Sequence, residues 1–342
     1  VLCQKVDDST RTLDLPLQIQ TLAGLSFDPV LAMTTFAWRA KAAVRRLRRD
    51  GAIDVVLGFN HSIEQDVYRL GAGTHAAYLQ RAGQTSRTPW LDRAALAMEQ
   101  VRFRPEHFSR LIAPSAEVKQ ELMRHYPVPG ERIDVVPNGV DLERFVPRPE
   151  QRADLRAELG LPAEGRVAVF VGQELQRKGF EAAASACGRA GVPLLYVGQA
   201  RRPADLPPHV RWLGERADVP QVLCAADVLL LPSYYDPFGG VVLEAYACGL
   251  PAVATRRVGA TELAVGTGLE ELLIEDPNDG SAIDAALARA LEGGPEVYGA
   301  SAREIARARS LQAFGRDLVR SLLRAAHCDA AHLAKDPENS GR

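Results

Sequence analysis

Two clusters in the second half of the chain have the residue types and spacing to handle a diphosphate. The first lies in PSYYDPFGGVVLEAYACGLPAVAT, residues 232–255. An apolar run ends at Pro232-Ser233, a loop carries Asp236, Gly239-Gly240 opens a predicted helix, and Glu244 follows on its second turn, giving an acid-x7-acid pattern. Glycines at a helix N-terminus let a ligand approach bare backbone N–H groups, which together with the helix dipole form an anion site. Glu244 can then accept hydrogen bonds from ribose hydroxyls, and Asp236 lies nearer whatever hangs off the diphosphate. The second cluster is VFVGQELQRKGF, residues 169–180, where an apolar run ends at Gly172 and a loop delivers Arg177 and Lys178 before Gly179. Two adjacent cations there would offset the charge of a departing diphosphate. Only five of the 41 basic residues are lysines, so composition alone rarely places one at such a point. A third segment, VVPNGVD (135–141), read alone is a strand-to-turn exit.

These clusters need a scaffold that ends strands beside helix starts. Predicted strands are 54–60, 74–79, 110–115, 133–139, 166–172, 193–199, 210–214, 228–234 and 251–255. Most are continuous apolar runs, as expected of parallel strands buried on both faces. Predicted helices fall between them: 38–50 ending at Gly51, one capped by Ser115, then 218–226 and 281–292. Alternation of strand and helix predicts a doubly wound α/β architecture, with ligands outside the carboxyl ends of the strands. The proline-rich, charged stretch at 140–165 predicts a boundary. The expected units are 1–143, 144–326, and a polar, disordered tail at 327–342.

Composition bounds the function. The chain has 342 residues, 46% apolar and 25% charged, and a net charge of −2. It holds enough apolar residues for two domains, and it lacks the global basic field that nucleic acid requires. No run approaches 18 apolar residues, so no membrane-spanning helix is expected. The five cysteines contain no CxxC pair and read as free thiols in a reducing cytoplasm.

The three segments in this order resemble the retaining GT-B glycosyltransferases of family 4, which show a PNGVD hinge, a VG…RKG strand-loop and an acid-x7-acid element ending in G-x-P-V-V-A-T. DVVLGFNHSIEQDVYRLGAGTHAAYL (54–79) looks like the lipopolysaccharide core glucosyltransferases of that family. The resemblance spans roughly residues 50–325 and implies two Rossmann-like domains facing a central cleft. It implies that Arg177 and Lys178 bind the diphosphate of a nucleotide sugar, UDP-glucose first among candidates, with no cofactor and no metal. It further implies that Glu244 binds ribose, that Asp236 contacts the donor sugar, and that His75 lies near the reacting sugar. Phe238, Gly239, Gly240 and Val241 would line the diphosphate site. Gly172 would border the donor, and Gly198, with the loop near Arg216 and Val219, would hold the base. A glycolipid such as the lipopolysaccharide inner core is the implied acceptor.

The chain departs from the pattern in three places. Asp236 stands where the family usually has Glu. Ala72 occupies the acidic position of the related GDGVH stretch. The opening VLCQ matches a second strand, so the N-terminal domain is expected to lack its first βα unit, including a Gly-Gly-x-x-Arg loop. A nucleotide-binding fragment without turnover, or a nucleotide-sugar epimerase, are the alternatives. Segments 38–50 and 81–105 mix arginines with apolar residues and could lie on an anionic membrane at its cytoplasmic face.

Overall fold

A computed structural model describes residues 2–3, 20–22, 29–60, 62–81, 89–198 and 201–333 of the chain. The first strands, β1 (Leu2–Cys3) and β2 (Gln20–Thr21), pair in parallel, and α1 (Pro29–Arg49) follows. Next come β3 (Leu57–Phe59), β4 (Val67–Arg69), α2 (His75–Arg81), α3 (Pro89–Arg102), β5 (Arg110–Ala113), α4 (Ala116–His125) and β6 (Ile133–Val135). Strands β3 to β6 form a parallel sheet in sequence order. This is the N-terminal domain.

The second domain runs α5 (Arg152–Glu158), β7 (Ala168–Gly172), α6 (Phe180–Ala190), β8 (Leu194–Gly198), β9 (Val210–Gly214), α7 (Val219–Ala225) and β10 (Val228–Leu231). It continues through α8 (Gly240–Ala247), β11 (Ala252–Thr255), β12 (Leu273–Ile274) and α9 (Gly280–Ala308), which bends at Gly294-Pro295. Its six parallel strands lie in the order β12-β11-β10-β7-β8-β9. Every residue of β10 is fully buried, as a run apolar on both faces requires. The expected two-domain α/β fold is therefore present, and most predicted strands fall within a residue or two of the observed ones.

Four expectations change. Residues 74–79 are not a strand but the start of α2. Thr74 Oγ1 accepts from Ala77 N at 3.1 Å, and the Glu99 carboxylate of α3 accepts from His75 N and Ala76 N at 2.7 and 3.3 Å. These contacts satisfy N–H groups that a helix start leaves bare. The final helix, α10 (Leu311–Leu333), reaches into the segment expected to be a disordered tail, and residues 334–342 lie outside the described ones. It does not belong with the second domain either. Phe314, Leu318, Leu322 and Ala325 pack on Val67, Ile112 and Val136 of the first sheet, so the chain crosses back near Ser310. The apolar side of 38–50 also fails to face outward, because Ala40 and Val44 are buried and the exposed aromatic of α1 is Trp38. Finally, β1 and β2 form a separate sheet, with no bond to the four-stranded one among the described residues.

Candidate active site

The strand order of the second sheet reverses between β7 and β10, neighbours reached by different crossovers. Such a switch point opens a crevice at the carboxyl ends of the strands. The loop after β7 carries Arg177 and Lys178, and the loop after β10 carries Asp236, so the crevice brings them together. Lys178 Nζ donates to Asp236 Oδ2 at 3.0 Å, and an Arg177 Nη lies 3.7 Å from the same oxygen. Glycines permit this closeness. A Cβ on Gly172 would fall 2.3 Å from Lys178 Cδ, and one on Gly198, its register partner on β8, would fall 1.9 Å from the Gly172 carbonyl oxygen. Gly239 takes the left-handed conformation (φ +71°) that turns the chain into α8. Gly240 begins that helix with open space where a side chain would be. Phe238 and Val241 beside them are buried.

The charges of the site are already matched within the protein. The Arg177 guanidinium forks onto Glu174 at 2.9 and 2.8 Å and donates to the Tyr235 carbonyl at 2.6 Å. Burial works against its charge, but the Glu174 hydrogen bond and the Asp236 charge outweigh this and hold its pKa above the ordinary arginine value. The same bond to Arg177 holds Glu174 below the usual carboxylate range. Glu244, one turn into α8, is different. Burial pushes its carboxyl up against the pull of the Arg144 and Lys178 charges. An incoming diphosphate would compete with Glu174 and Asp236 for the cations, whereas Glu244 feels the Arg144 and Lys178 charges without an ion pair to either.

The N-terminal domain supplies the opposite wall of a cavity of about 540 Å³. His75, at the first turn of α2, lines it together with Ala72, Tyr78, Glu99, Arg177 and Asp236. His75 Nε2 is 2.8 Å from Asp92 Oδ1, and its ring stacks on Tyr78 at 5.8 Å between centroids. The two domains are joined by polar contacts around this cavity. Ser115 Oγ donates to the Pro237 carbonyl at 3.0 Å. Glu262 accepts from Ala116 N and Glu117 N, at the start of α4, at 2.8 and 3.0 Å. Gly73 (φ +71°) passes so close to Tyr235 that a Cβ would lie 2.2 Å from the phenol oxygen.

Of the residues picked from sequence, His75, Arg177 and Asp236 line the cavity, and Lys178 joins them through Asp236. Gly172, Gly198, Gly239, Gly240 and Glu244 lie along the strand-end edge beside them. Arg216 and Val219 follow β9, at the far edge of the sheet, and Arg216 is pinned to Asp218 at 2.7 and 2.5 Å. Arg144 was not anticipated. It donates to the Ala217 carbonyl at 3.0 Å and acts on Glu244, so it links the expected base loop to the expected ribose acceptor. Its signal was its place three residues beyond PNGVD. Glu99, Glu121 and Tyr235 were also missed. Of the five cysteines, Cys187, Cys224 and Cys248 are buried and free, as expected. No helix among the described residues is long and apolar enough to cross a membrane.

Comparison with known proteins agrees with this geometry. Residues 1–144 match the family described as Glycosyltransferase Family 4, and residues 165–293 match Glycosyl transferases group 1. A D-inositol 3-phosphate glycosyltransferase of Segniliparus rotundus is 34% identical over 186 residues, which is 48% of this chain and 41% of the relative. The match thus spans less than half of that relative's length. A Burkholderia thailandensis protein named "Probable transglycosylase" is 28% identical over 312 residues, 90% of this chain and 81% of the relative. Among solved structures, WaaG, a glycosyltransferase involved in lipopolysaccharide biosynthesis, superposes with a TM-score of 0.71 at 23% identity, covering 89% of this chain and 86% of WaaG. Anabaena HepE in complex with UDP-glucose gives 0.67 at 20% identity, covering 90% and 86%. With both halves matched, with two parallel-sheet domains of GT-B form and with Arg177, Lys178 and Asp236 meeting at the second sheet's switch point, the chain belongs to the family 4 glycosyltransferases.

Proposed function

We propose that the chain transfers a hexosyl group, with retention, from a nucleotide sugar to an acceptor hydroxyl held in the interdomain cavity. The observation that carries this is the meeting of Lys178, Arg177 and Asp236 beside the open helix start at Gly240. The diphosphate lies against that helix start, with Lys178 and Arg177 taking up its charge. The bond from the anomeric carbon to the diphosphate breaks, and the acceptor oxygen forms its bond on the same face. The acceptor proton passes to the departing phosphate. Glu244 receives the ribose hydroxyls. No metal ion is needed for this step, because two cations and a helix N-terminus face the leaving group. UDP-glucose is the donor we propose; WaaG's role in lipopolysaccharide biosynthesis and HepE's UDP-glucose complex support that choice and a glycolipid acceptor. A peripheral contact with an anionic membrane fits the exposed Trp38 on α1, whose last turn carries Arg46, Arg48 and Arg49.

Calorimetry with UDP, beside NMR of the products formed from UDP-glucose and a core-oligosaccharide acceptor, tests the reading. Micromolar UDP binding with an α-linked product is expected. Binding without transfer would favour a nucleotide-binding fragment, and an epimerised sugar would favour an epimerase.

A further inference from the structure

The cavity has a second charged feature, which the donor site does not use. Arg102, the last residue of α3, is 6% exposed and lines the cavity. Its Nε donates to the Ser62 carbonyl at 3.0 Å, and its guanidinium lies over the Tyr68 ring at 4.9 Å. Among the described residues its outer nitrogens have no hydrogen-bond partner and face no carboxylate at ion-pair distance. The nearby Glu99 is engaged elsewhere, by His75 N, Ala76 N and the Tyr126 hydroxyl. Arg156 makes the contrast. It is 3% exposed, and its guanidinium reaches Asp227 at 2.7 Å and four carbonyl oxygens. Buried charges are paired as a rule, because an unpaired one keeps a large desolvation cost. A guanidinium stacked on an aromatic ring, with its outer donors open to a cavity, presents the planar fork that phosphate fits.

We infer that Arg102 anchors a phosphate group of the acceptor. The acceptor is then a phosphorylated sugar or cyclitol, free or as a lipid headgroup, seated with its phosphate at the Tyr68 end and its reacting hydroxyl toward His75 and Asp236. The inference rests on the proposed function only in taking this cavity as the acceptor side.

The test titrates the full chain with glucose 6-phosphate, with glucose, and with vesicles containing phosphatidylinositol, each with and without UDP. At least tenfold tighter binding of a phosphorylated probe than of glucose is expected. Arg102→Gln should remove that preference. Since loss of a buried arginine can unfold the chain, Met98→Glu is the second variant. Met98 also lines the cavity, one helical turn before Arg102, so a carboxylate there pairs with the guanidinium at i,i+4 and takes the phosphate's place. Met98→Glu should fold as the wild type does, keep its UDP affinity and lose phosphate binding at least tenfold. Soluble probe and vesicle distinguish a free acceptor from a lipid headgroup. Equal binding of glucose and its phosphate with no vesicle binding, or undiminished phosphate binding by Met98→Glu, would overturn the inference. A chain that binds the phosphate but not UDP would keep this site and overturn the nucleotide-sugar reading.

Discussion

The Tyr235 hydroxyl donates to Glu121 Oε2 at 2.9 Å across the domain boundary, and the two side chains are 2% and 0% exposed. Tyr235 immediately precedes Asp236 in the donor-side loop, while Glu121 lies on α4 of the other domain. The loop that carries the reacting groups is therefore tied to the acceptor-side domain through a buried carboxyl. The other oxygen of Glu121 has no hydrogen-bond donor, with Arg81 Nε 3.4 Å away. Burial drives its pKa up from 4.5 to about 7, against the Tyr235 hydrogen bond and the Arg81 charge.

This makes the stability contributed by the interdomain contact pH-dependent. The folded state binds the Glu121 proton more tightly than the unfolded chain does. The stability from this group is thus fully present below pH 4.5 and is lost as pH rises through about 7. The shift corresponds to roughly 3 kcal/mol. We expect thermal stability to fall between pH 5 and 8 by more than the other groups account for. Glu121→Gln, neutral at every pH, should flatten that slope while keeping an acceptor for Tyr235. Parallel melting profiles for the two proteins would refute this.

Lys178→Ala removes one cation from the departing diphosphate. We expect kcat/KM with UDP-glucose to fall at least 100-fold, about 2.7 kcal/mol of transition-state stabilisation. The chain should stay folded, because Arg177, 3.7 Å from the same Asp236 oxygen, remains as a counter-ion, and the melting profile checks this. Retention of more than about a tenth of the rate, a barrier change below about 1.4 kcal/mol, would remove Lys178 from the mechanism.

Strands β7, β8 and β10 of the second domain were legible because each is a continuous apolar run closed by glycine or proline, whereas the two-residue β12 was not predicted. Val228–Leu231 is the clearest. The crevice was legible for the same reason, since strand ends mark where Lys178 and Asp236 must emerge. Residues 74–79 misled because Ala-Ala-Tyr-Leu is apolar in either conformation. What decides for helix is Glu99, whose carboxylate arrives from another helix to satisfy His75 N and Ala76 N. Likewise nothing local assigns α10 to the first domain. That follows from the crossing at Ser310, where the Val140 bridge and a Gly139 with no room for a side chain bring two segments together. In the sequence Glu121 is one acid in an amphipathic helix, and its burial depends on a tyrosine more than a hundred residues away.

Asp227 holds the linker helix to the second sheet. It is 2% exposed and pairs with Arg152, Arg156 and Arg166 at 2.8, 2.7 and 3.1 Å, and it accepts from Val167 N at 2.8 Å. Asp227→Ala leaves Arg156 buried without a counter-ion. Breaking such a network costs about 3–5 kcal/mol. Chemical denaturation should show a loss of that order. A loss under about 1 kcal/mol would mean that water replaces the carboxylate without penalty.

Two glycines of the site call for opposite outcomes from the same substitution. At Gly198 a Cβ would lie 1.9 Å from the Gly172 carbonyl oxygen, inside a buried strand pair, so Gly198→Ala must push β7 and β8 apart. We expect it to destabilise the chain by about 1–3 kcal/mol, as overpacking does. At Gly240 a Cβ meets nothing within 4 Å, and the residue lies in a helix. There alanine restricts the unfolded chain and should stabilise the fold by about 0.4–1 kcal/mol. Yet the space it fills is the approach to the bare N–H groups of the helix start. Gly240→Ala should therefore raise the melting temperature while weakening UDP binding at least tenfold, measured by calorimetry on the same preparation. If UDP binds the variant as tightly as the wild type, the diphosphate does not lie against this helix start.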